Sequence, residues 1–223
     1  MDWRHEWKIE ISPMDLLVLR SRLSAVMKPD IHAKNGKYFI RSLYFDTPED
    51  KALREKTDGV NKREKFRLRY YNGDTSLIHL EKKSKLDGLC HKSLTEISTV
   101  QAQRIVNHDI SWMADSADAL VRELYTKMRS ENLRPKTIVD YTREPFVFPA
   151  GNVRVTFDYD IRTGLACTDF LQSGCVTVPI PASPILMEVK WDAFLPDIIR
   201  DAVWLEGRRV TAFSKYAQCR AYG

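Results

Sequence analysis

The chain has 223 residues, of which 43% are hydrophobic and 29% charged, and its formal net charge is +5 at pH 7. This length and apolar content can bury a full core, and they exclude an intrinsically disordered chain. No run reaches the roughly 18 apolar residues of a membrane-spanning helix. The charged N-terminus has no signal-peptide core. We therefore expect a soluble, cytoplasmic protein that folds as one domain over residues 1–223, with a charge that suits an anionic partner.

The first predicted element is a helix. Ser12 is an N-cap residue, Pro13 stands at the first helical position, and Asp15 lies three residues after the cap. Apolar residues then recur at helical spacing, at Leu16, Leu19, Leu23 and Val26. Together these signals predict a helix from about 13 to 27.

Over residues 37–85 the apolar residues recur with a period of two, and aromatic and β-branched side chains are frequent. Both features are typical of strands. The triplet Asn72-Gly73-Asp74 supplies a hairpin turn between two of them. Helical spacing returns after Thr99 and again in residues 115–132. Further strands are expected over 136–148, 152–163 and 184–192, followed by a helix that stops near Gly207. This order predicts an α+β domain built around an antiparallel sheet.

The stretch KFRLRYY, residues 65–71, is the most informative of these strands. Successive side chains of a strand point to opposite faces, so Arg67 and Arg69 share one face while Phe66, Leu68 and Tyr70 share the other. The strand therefore has an apolar face and a cationic face.

The same alternation recurs along the chain and admits two interpretations. The charged faces carry Glu81 with Lys83, Arg154 with Thr156 and Asp158, and Glu188 with Lys190. Such alternation is ordinary in a sheet with one face in water. Cations concentrated on adjacent strands repel one another, however, and a bound anion would offset that cost.

If the sheet closes into a barrel, the charged faces line a lumen. Arg and Lys side chains can hold successive phosphate groups. The carboxylates Glu188, Asp158 and Glu6 would suit Mg²⁺ or Mn²⁺, which bind through one or two carboxylates and substrate phosphates. Phosphoryl transfer needs this combination of positioning and charge neutralisation.

An ordered set of short motifs resembles a known family. These motifs are RHEWK, SLYFDT, KFRLRYY, LEKKSK, HKS, YTREPF, VRVTFD, MEVKW and FSKY. In this order they resemble the polyphosphate polymerase domain of the vacuolar transporter chaperone (VTC) complex and its bacterial relatives. That domain belongs to the triphosphate tunnel metalloenzyme, or CYTH-like, superfamily. The resemblance implies an antiparallel β-barrel tunnel with helices packed outside.

The resemblance also implies roles for particular residues. Glu188 would hold a divalent metal, Mn²⁺ or Mg²⁺, and Tyr141 would hydrogen-bond a phosphate. Glu6, Glu81, Asp158 and Lys190 are further candidates, although Arg4 replaces the first acidic ligand of the wider superfamily's E-x-E-x-K pattern. The residues that would bind the phosphates of the nucleotide and the growing chain are Lys8, Arg67, Arg69, Lys83, Lys92, Arg143, Arg154 and Lys215.

The function implied is transfer of the γ-phosphate of ATP to a polyphosphate chain, with ATP and inorganic polyphosphate or pyrophosphate as partners. One alternative is a tripolyphosphatase or nucleoside triphosphatase, because the same tunnel can admit water as the acceptor. Another is a module that binds polyphosphate without turning it over. We expect no nucleic-acid partner, because the aromatic residues of KREKFRLRYY alternate onto the apolar face. The sequence leaves open whether a membrane partner exists.

Overall fold

A computed structural model describes residues 3–222, so Met1, Asp2 and Gly223, the ends of the expected domain, lie outside the described residues. The strands are β1 His5–Ile11, β2 Lys28–Pro29, β3 Tyr38–Asp46, β4 Arg63–Tyr71, β5 Asp74–Leu86, β6 Leu89–Ile97, β7 Arg134–Phe148, β8 Val153–Thr163, β9 Val178–Pro179 and β10 Ile185–Trp191. The α-helices are α1 Pro13–Val26, α2 Lys51–Thr57, α3 Thr99–Val106, α4 Ala119–Ser130, α5 Asp197–Ala202 and α6 Lys215–Arg220.

One antiparallel sheet organises these elements. Its principal strands follow the order β1-β10-β8-β7-β3-β4-β5-β6, with β2 added to β7 and β9 added to β8. The sheet curls until its first and last strands approach, and Arg4 and Cys90 exchange two backbone hydrogen bonds of 2.9 and 3.1 Å there. The expected α+β fold, an antiparallel barrel-like tunnel with helices outside, is confirmed.

Helix α1 begins as its sequence predicts. The Ser12 hydroxyl accepts from the Asp15 backbone N–H at 3.1 Å, and the Asp15 carboxylate accepts from the Ser12 N–H at 2.8 Å. This reciprocal capping box satisfies two N–H groups that the helix cannot bond internally. Leu16, Leu19 and Leu23 then lie buried on one face of the helix.

The hairpin between β4 and β5 also forms as predicted. Asn72 and Gly73 both have positive φ, at 54° and 74°, which is the backbone that a two-residue hairpin turn of the primed type needs. The register shifts once between Tyr71 and Arg69, and beyond this irregularity Lys65 lies opposite Lys83 and Arg67 opposite Glu81. The hairpin therefore places charged residues of both strands on the same inner face.

The apolar faces of the strands point outward, against the helices. Phe66, Leu68 and Tyr70 pack with residues of α3 and α4 in one cluster. A second cluster joins β8 and β10 to α1 and α5. These two cores lie outside the curled sheet, while a third buried cluster, which includes Ile40, Tyr141 and Tyr216, packs α6 against β3 and β7. Charged side chains line much of the remaining interior.

The sequence prediction of strands throughout residues 37–85 is wrong at α2, Lys51–Thr57. There the buried Asp46 carboxylate accepts from the Ala52 and Leu53 N–H groups at the start of a helix. Two further features were predicted differently or left open. Helix α5 ends at Ala202 rather than near Gly207, which lies in a later turn with φ of 73°. The C-terminal stretch, ambiguous in sequence, forms α6 after Ser214 caps it by accepting from the Ala217 N–H at 3.3 Å. Within residues 3–222 no helix is long and apolar enough to cross a membrane.

Candidate phosphate tunnel

The curled sheet encloses a cavity of about 520 Å³. Its lining contains every residue that the resemblance assigns to phosphate or metal: Lys8, Arg67, Arg69, Lys83, Lys92, Tyr141, Arg143, Arg154, Lys215 and Glu188. Glu6 and Lys190 also line it, while Glu81 and Asp158 lie just behind the wall with 1% and 0% exposed surface. The fold brings together residues from the whole length of the chain, and their binding roles stay predictions.

Glu81 on β5 organises the first ion-pair cluster. Its carboxylate lies 2.6 Å from Arg67 Nη2, 2.7 Å from Lys92 Nζ and 3.8 Å from Arg69 Nη1. Burial alone would raise the pKa of Glu81, but the charges of Arg67, Arg69 and Lys92 outweigh it and hold the pKa well below its usual value. Glu81 therefore stays ionised and fixes three cations along the wall.

Glu188 on β10 and Asp158 on β8 form the second cluster. Lys215 Nζ lies 2.5 Å from Asp158 and 3.0 Å from Glu188. Arg143 makes two bonds to Asp158, at 2.6 and 2.7 Å, and approaches Glu188 at 3.5 Å. Burial would raise the pKa of Glu188, but the charges of Lys190, Lys215, Lys8 and Arg143 hold it well below its usual value. Burial would likewise raise the pKa of Asp158, but Arg143 and Lys215 hold it below its usual value, so both carboxylates are ionised near neutral pH.

Glu6 on β1 is the third centre. Lys83 Nζ lies 2.9 Å from both of its carboxylate oxygens, Lys190 Nζ lies at 3.4 Å and Lys8 Nζ at 3.8 Å. Lys8 and Lys190 also lie 3.6 and 2.9 Å from Glu188. The two lysines thus connect Glu6 and Glu188 across neighbouring strands.

The oxygen ligands at and near Glu188 suit a hard divalent cation that also binds oxygens of the substrate. Within residues 3–222 no group of three or more His, Cys, Asp or Glu residues is arranged as a metal site. Glu188 and Glu6 nevertheless supply two carboxylates on adjacent strands, and the hydroxyl of buried Thr156, opposite Glu188, has no hydrogen-bond partner among the described residues. Mg²⁺ typically binds through one or two carboxylates and completes its shell with phosphates and water. The residues therefore fit such an ion.

Tyr141 and Arg154 occupy different surroundings. The Tyr141 hydroxyl accepts from Arg69 Nη2 at 3.0 Å, and Lys215 Nζ lies 4.8 Å from the ring centre. Arg154 instead pairs with Asp30 at 3.0 Å, and 36% of its side chain is exposed. Tyr141 belongs to the inner wall, whereas Arg154 lies at the rim.

Sequence reasoning missed several residues that shape the cavity. Tyr44 accepts from Arg67 Nη1 at 2.8 Å, and Ser42 accepts from Arg69 Nε at 2.9 Å. Lys65 shares the inner face of β4 and lines the cavity. The period of two that revealed Arg67 and Arg69 includes Lys65 as well, so that signal was present. The hydroxyl partners depend on β3 pairing with β4, which the sequence pattern did not specify.

Comparison with known proteins identifies the family. A family model described as the VTC domain matches residues 3–222, so the chain belongs to the VTC domain family, as its motifs predicted. Membership of this family supports a function on polyphosphate or triphosphate chains. No curated protein matches the chain.

Solved structures are similar only at low identity. The PH1819 protein from Pyrococcus horikoshii OT3 is 16% identical, with a TM-score of 0.44, over 90% of this chain and 84% of that one. A putative adenylate cyclase from Bacillus halodurans is 13% identical, with a TM-score of 0.48, over 84% of this chain and 81% of that one. Likenesses this distant carry no inference about activity.

Proposed function

We propose that the chain is a metal-dependent polyphosphate polymerase that transfers the γ-phosphate of ATP to a polyphosphate chain. The observation that supports this proposal most strongly is the inner wall of the tunnel. Eight cations surround four carboxylates there, which leaves an excess of four positive charges: the cations are Lys8, Arg67, Arg69, Lys83, Lys92, Arg143, Lys190 and Lys215.

This excess suits a chain of phosphates. Arg67, Arg69 and Arg143 present planar guanidinium groups that can hold two oxygens at once, while Lys83 and Lys92 supply compact charges. Their carboxylate partners fix the side chains in place before substrate arrives. A phosphoryl group held this way needs little rearrangement of its surroundings during transfer.

In the proposed reaction a terminal oxygen of the acceptor chain bonds to the γ-phosphorus, and the bond from that phosphorus to the β–γ bridging oxygen breaks. ADP leaves with the electron pair, and the chain is longer by one phosphate. Glu188, with Glu6, would hold the divalent ion, which would neutralise charge on the phosphate oxygens. The cations of the inner wall orient the phosphates and stabilise the charge on the departing β-phosphate.

The direct test is to incubate the protein with γ-labelled ATP and Mn²⁺ and to separate long polymer from free phosphate on a gel. The proposal predicts labelled polymer from the wild type and nearly none from Lys83→Ala or Arg67→Ala. Arg104→Ala is the matched control, because Arg104 pairs with Asp109 on an exposed surface. Circular dichroism would show that each variant is folded.

Other products would change the conclusion. Free phosphate without polymer would favour the tripolyphosphatase or nucleoside triphosphatase alternative. Unreacted ATP together with tight binding of tripolyphosphate would favour a binding module. Wild-type turnover in both folded variants would refute the assignment of the site.

A further inference from the structure

A group of cations at one mouth of the tunnel lacks the carboxylate partners that mark the inner wall. Its members are Lys56 on α2, Arg63 and Lys65 on β4, and Lys85 on β5, and all line the same cavity. Among the ion pairs of the described residues, none joins any of these four side chains to a carboxylate within 4.0 Å. We call this group the mouth cluster.

The register of the hairpin enforces this arrangement. Arg63 lies directly opposite Lys85, and Lys65 lies directly opposite Lys83. Like charges in directly opposed positions destabilise a sheet. The adjacent carboxylate, Glu64, is engaged elsewhere, with Lys127 at 2.6 Å and Lys82 at 3.8 Å. Glu64 therefore does not neutralise these cations, and of the four opposed residues Lys83 alone pairs with a carboxylate within 4.0 Å among the described residues, with Glu6 at 2.9 Å.

Neighbouring groups position two of these side chains. The Arg63 guanidinium donates to the Val60 carbonyl. Lys65 Nζ lies 3.4 Å from the Ser214 hydroxyl and 5.0 Å from the centre of the Tyr216 ring. Burial is the main cause that lowers the pKa of Lys65 to about 7; the charge of Asp46 opposes this shift, and the charges of Lys8, Lys56 and Arg63 add to it. An anion placed beside Lys65 would therefore relieve an unfavourable charge.

The position of the cluster suggests what that anion is. The inner face of β4 carries Arg63, Lys65, Arg67 and Arg69 in succession, so the mouth cluster continues the line of cations that begins at the inner wall. We propose that the mouth cluster is a second anion subsite that holds the part of a linear inorganic polyphosphate extending beyond the inner wall. The proposal rests on the proposed function and adds to it a preference for long chains.

The chemistry favours an inorganic chain over a nucleic acid. Single-stranded nucleic acids are held by aromatic rings on which bases stack. The ring that Lys65 approaches, Tyr216, has only 1% of its surface exposed. A ligand that presents phosphate oxygens alone uses all four cations without needing a stacking platform.

The test compares the affinities of tripolyphosphate and of a chain of defined greater length by titration calorimetry. The test variant is the triple substitution Lys56→Gln, Arg63→Gln and Lys85→Gln. The control variant, Lys28→Gln with Arg104→Gln and Arg129→Gln, removes the same number of charges from exposed or half-buried positions that do not line the cavity. The test variant should lose at least about tenfold more affinity for the long chain than for tripolyphosphate, and the control should show no such difference.

The outcomes separate the two proposals. Equal losses for both ligands, or no loss for either, would overturn the subsite and leave the proposed function standing. Failure of the wild type to bind either ligand would overturn the proposed function itself. Equal competition by a single-stranded RNA with the same number of phosphates would overturn the assignment to an inorganic chain.

Discussion

The inner wall of the tunnel and its mouth carry the same kinds of cation but differ in what neutralises them. On the inner wall, Arg67 and Lys215 lie within 3 Å of buried carboxylates. At the mouth, Lys65 and Lys85 face other cations. Paired cations are held rigidly but must share their charge, whereas unpaired cations attract an anion more strongly and are less firmly positioned. This difference suits chemistry on the inner wall and capture at the mouth.

The largest expected effect comes from removing the charge at the centre of the inner wall. Glu188→Gln would leave Lys190 and Lys215 with one fewer partner and would remove the proposed metal ligand. We expect turnover of labelled ATP to fall at least about 100-fold, and the free energy of unfolding in urea to fall by about 3 kcal/mol. Glu206→Gln, at an exposed carboxylate, is the control. A folded Glu188→Gln variant with turnover within twofold of wild type would contradict the metal assignment.

Replacing Tyr141 tests whether its hydroxyl, which lies on the inner wall, contributes to turnover. Tyr141→Phe keeps the ring near Lys215 but removes the oxygen that accepts from Arg69 at 3.0 Å. We expect turnover to fall about tenfold, because one hydrogen bond to a charged group is lost. Thermal stability should fall as well, because the buried Arg69 guanidinium loses an acceptor. Tyr222→Phe, at an exposed ring, should keep wild-type turnover. Equal turnover in the two variants would refute a role for the hydroxyl.

The salt dependence of binding affinity should distinguish the mouth cluster from the inner wall. Unpaired cations that bind successive phosphates make affinity fall steeply with ionic strength. Between low and moderate salt, we expect the long chain to lose roughly fivefold more affinity than tripolyphosphate. Calorimetric titrations at four salt concentrations would measure the slopes. Parallel slopes for the two ligands would remove the distinction between the regions.

The smallest expected effect is a pH dependence at Lys65. A bound phosphate favours the charged lysine, so binding takes up a proton, and affinity for the long chain should fall as pH rises through about 7. The charged groups that act on Lys65 or lie opposite it are Lys8, Asp46, Lys56, Arg63 and Lys83.

We expect a fall of roughly threefold between pH 6 and 8.5. Lys65→Arg should flatten the profile, because arginine stays charged throughout this range. Affinity that rises with pH in the wild type would show that the lysine does not bind phosphate.

Local patterns predicted much of the fold. The capping box at Ser12 and Asp15 set the start of α1, and the Asn72-Gly73 turn set where β4 ends and β5 begins. The period of two in β4 assigned Arg67 and Arg69 to the inner face. Each of these features depends on residues close together in sequence, so the sequence alone was sufficient.

Ion-pair partners could not be predicted in this way. Lys215 reaches Glu188 because residues 211–216 line the cavity. The Thr211 N–H holds this segment against β1 by donating to the Lys8 carbonyl at 2.7 Å. Lys83 meets Glu6 across 77 residues of sequence because the curled sheet brings the strand edges together. Such contacts depend on sheet closure, and no local spacing encodes them.

The measurement that tests the central claim most directly is calorimetric titration of tripolyphosphate into the wild type, Arg67→Gln and Arg104→Gln. If the inner wall binds a phosphate chain, the wild type should bind at a single site. Arg67→Gln should lose at least about tenfold in affinity, and Arg104→Gln should match the wild type. Equal affinities in all three folded proteins would show that the cations inside the curled sheet do not bind phosphate, and would contradict the account.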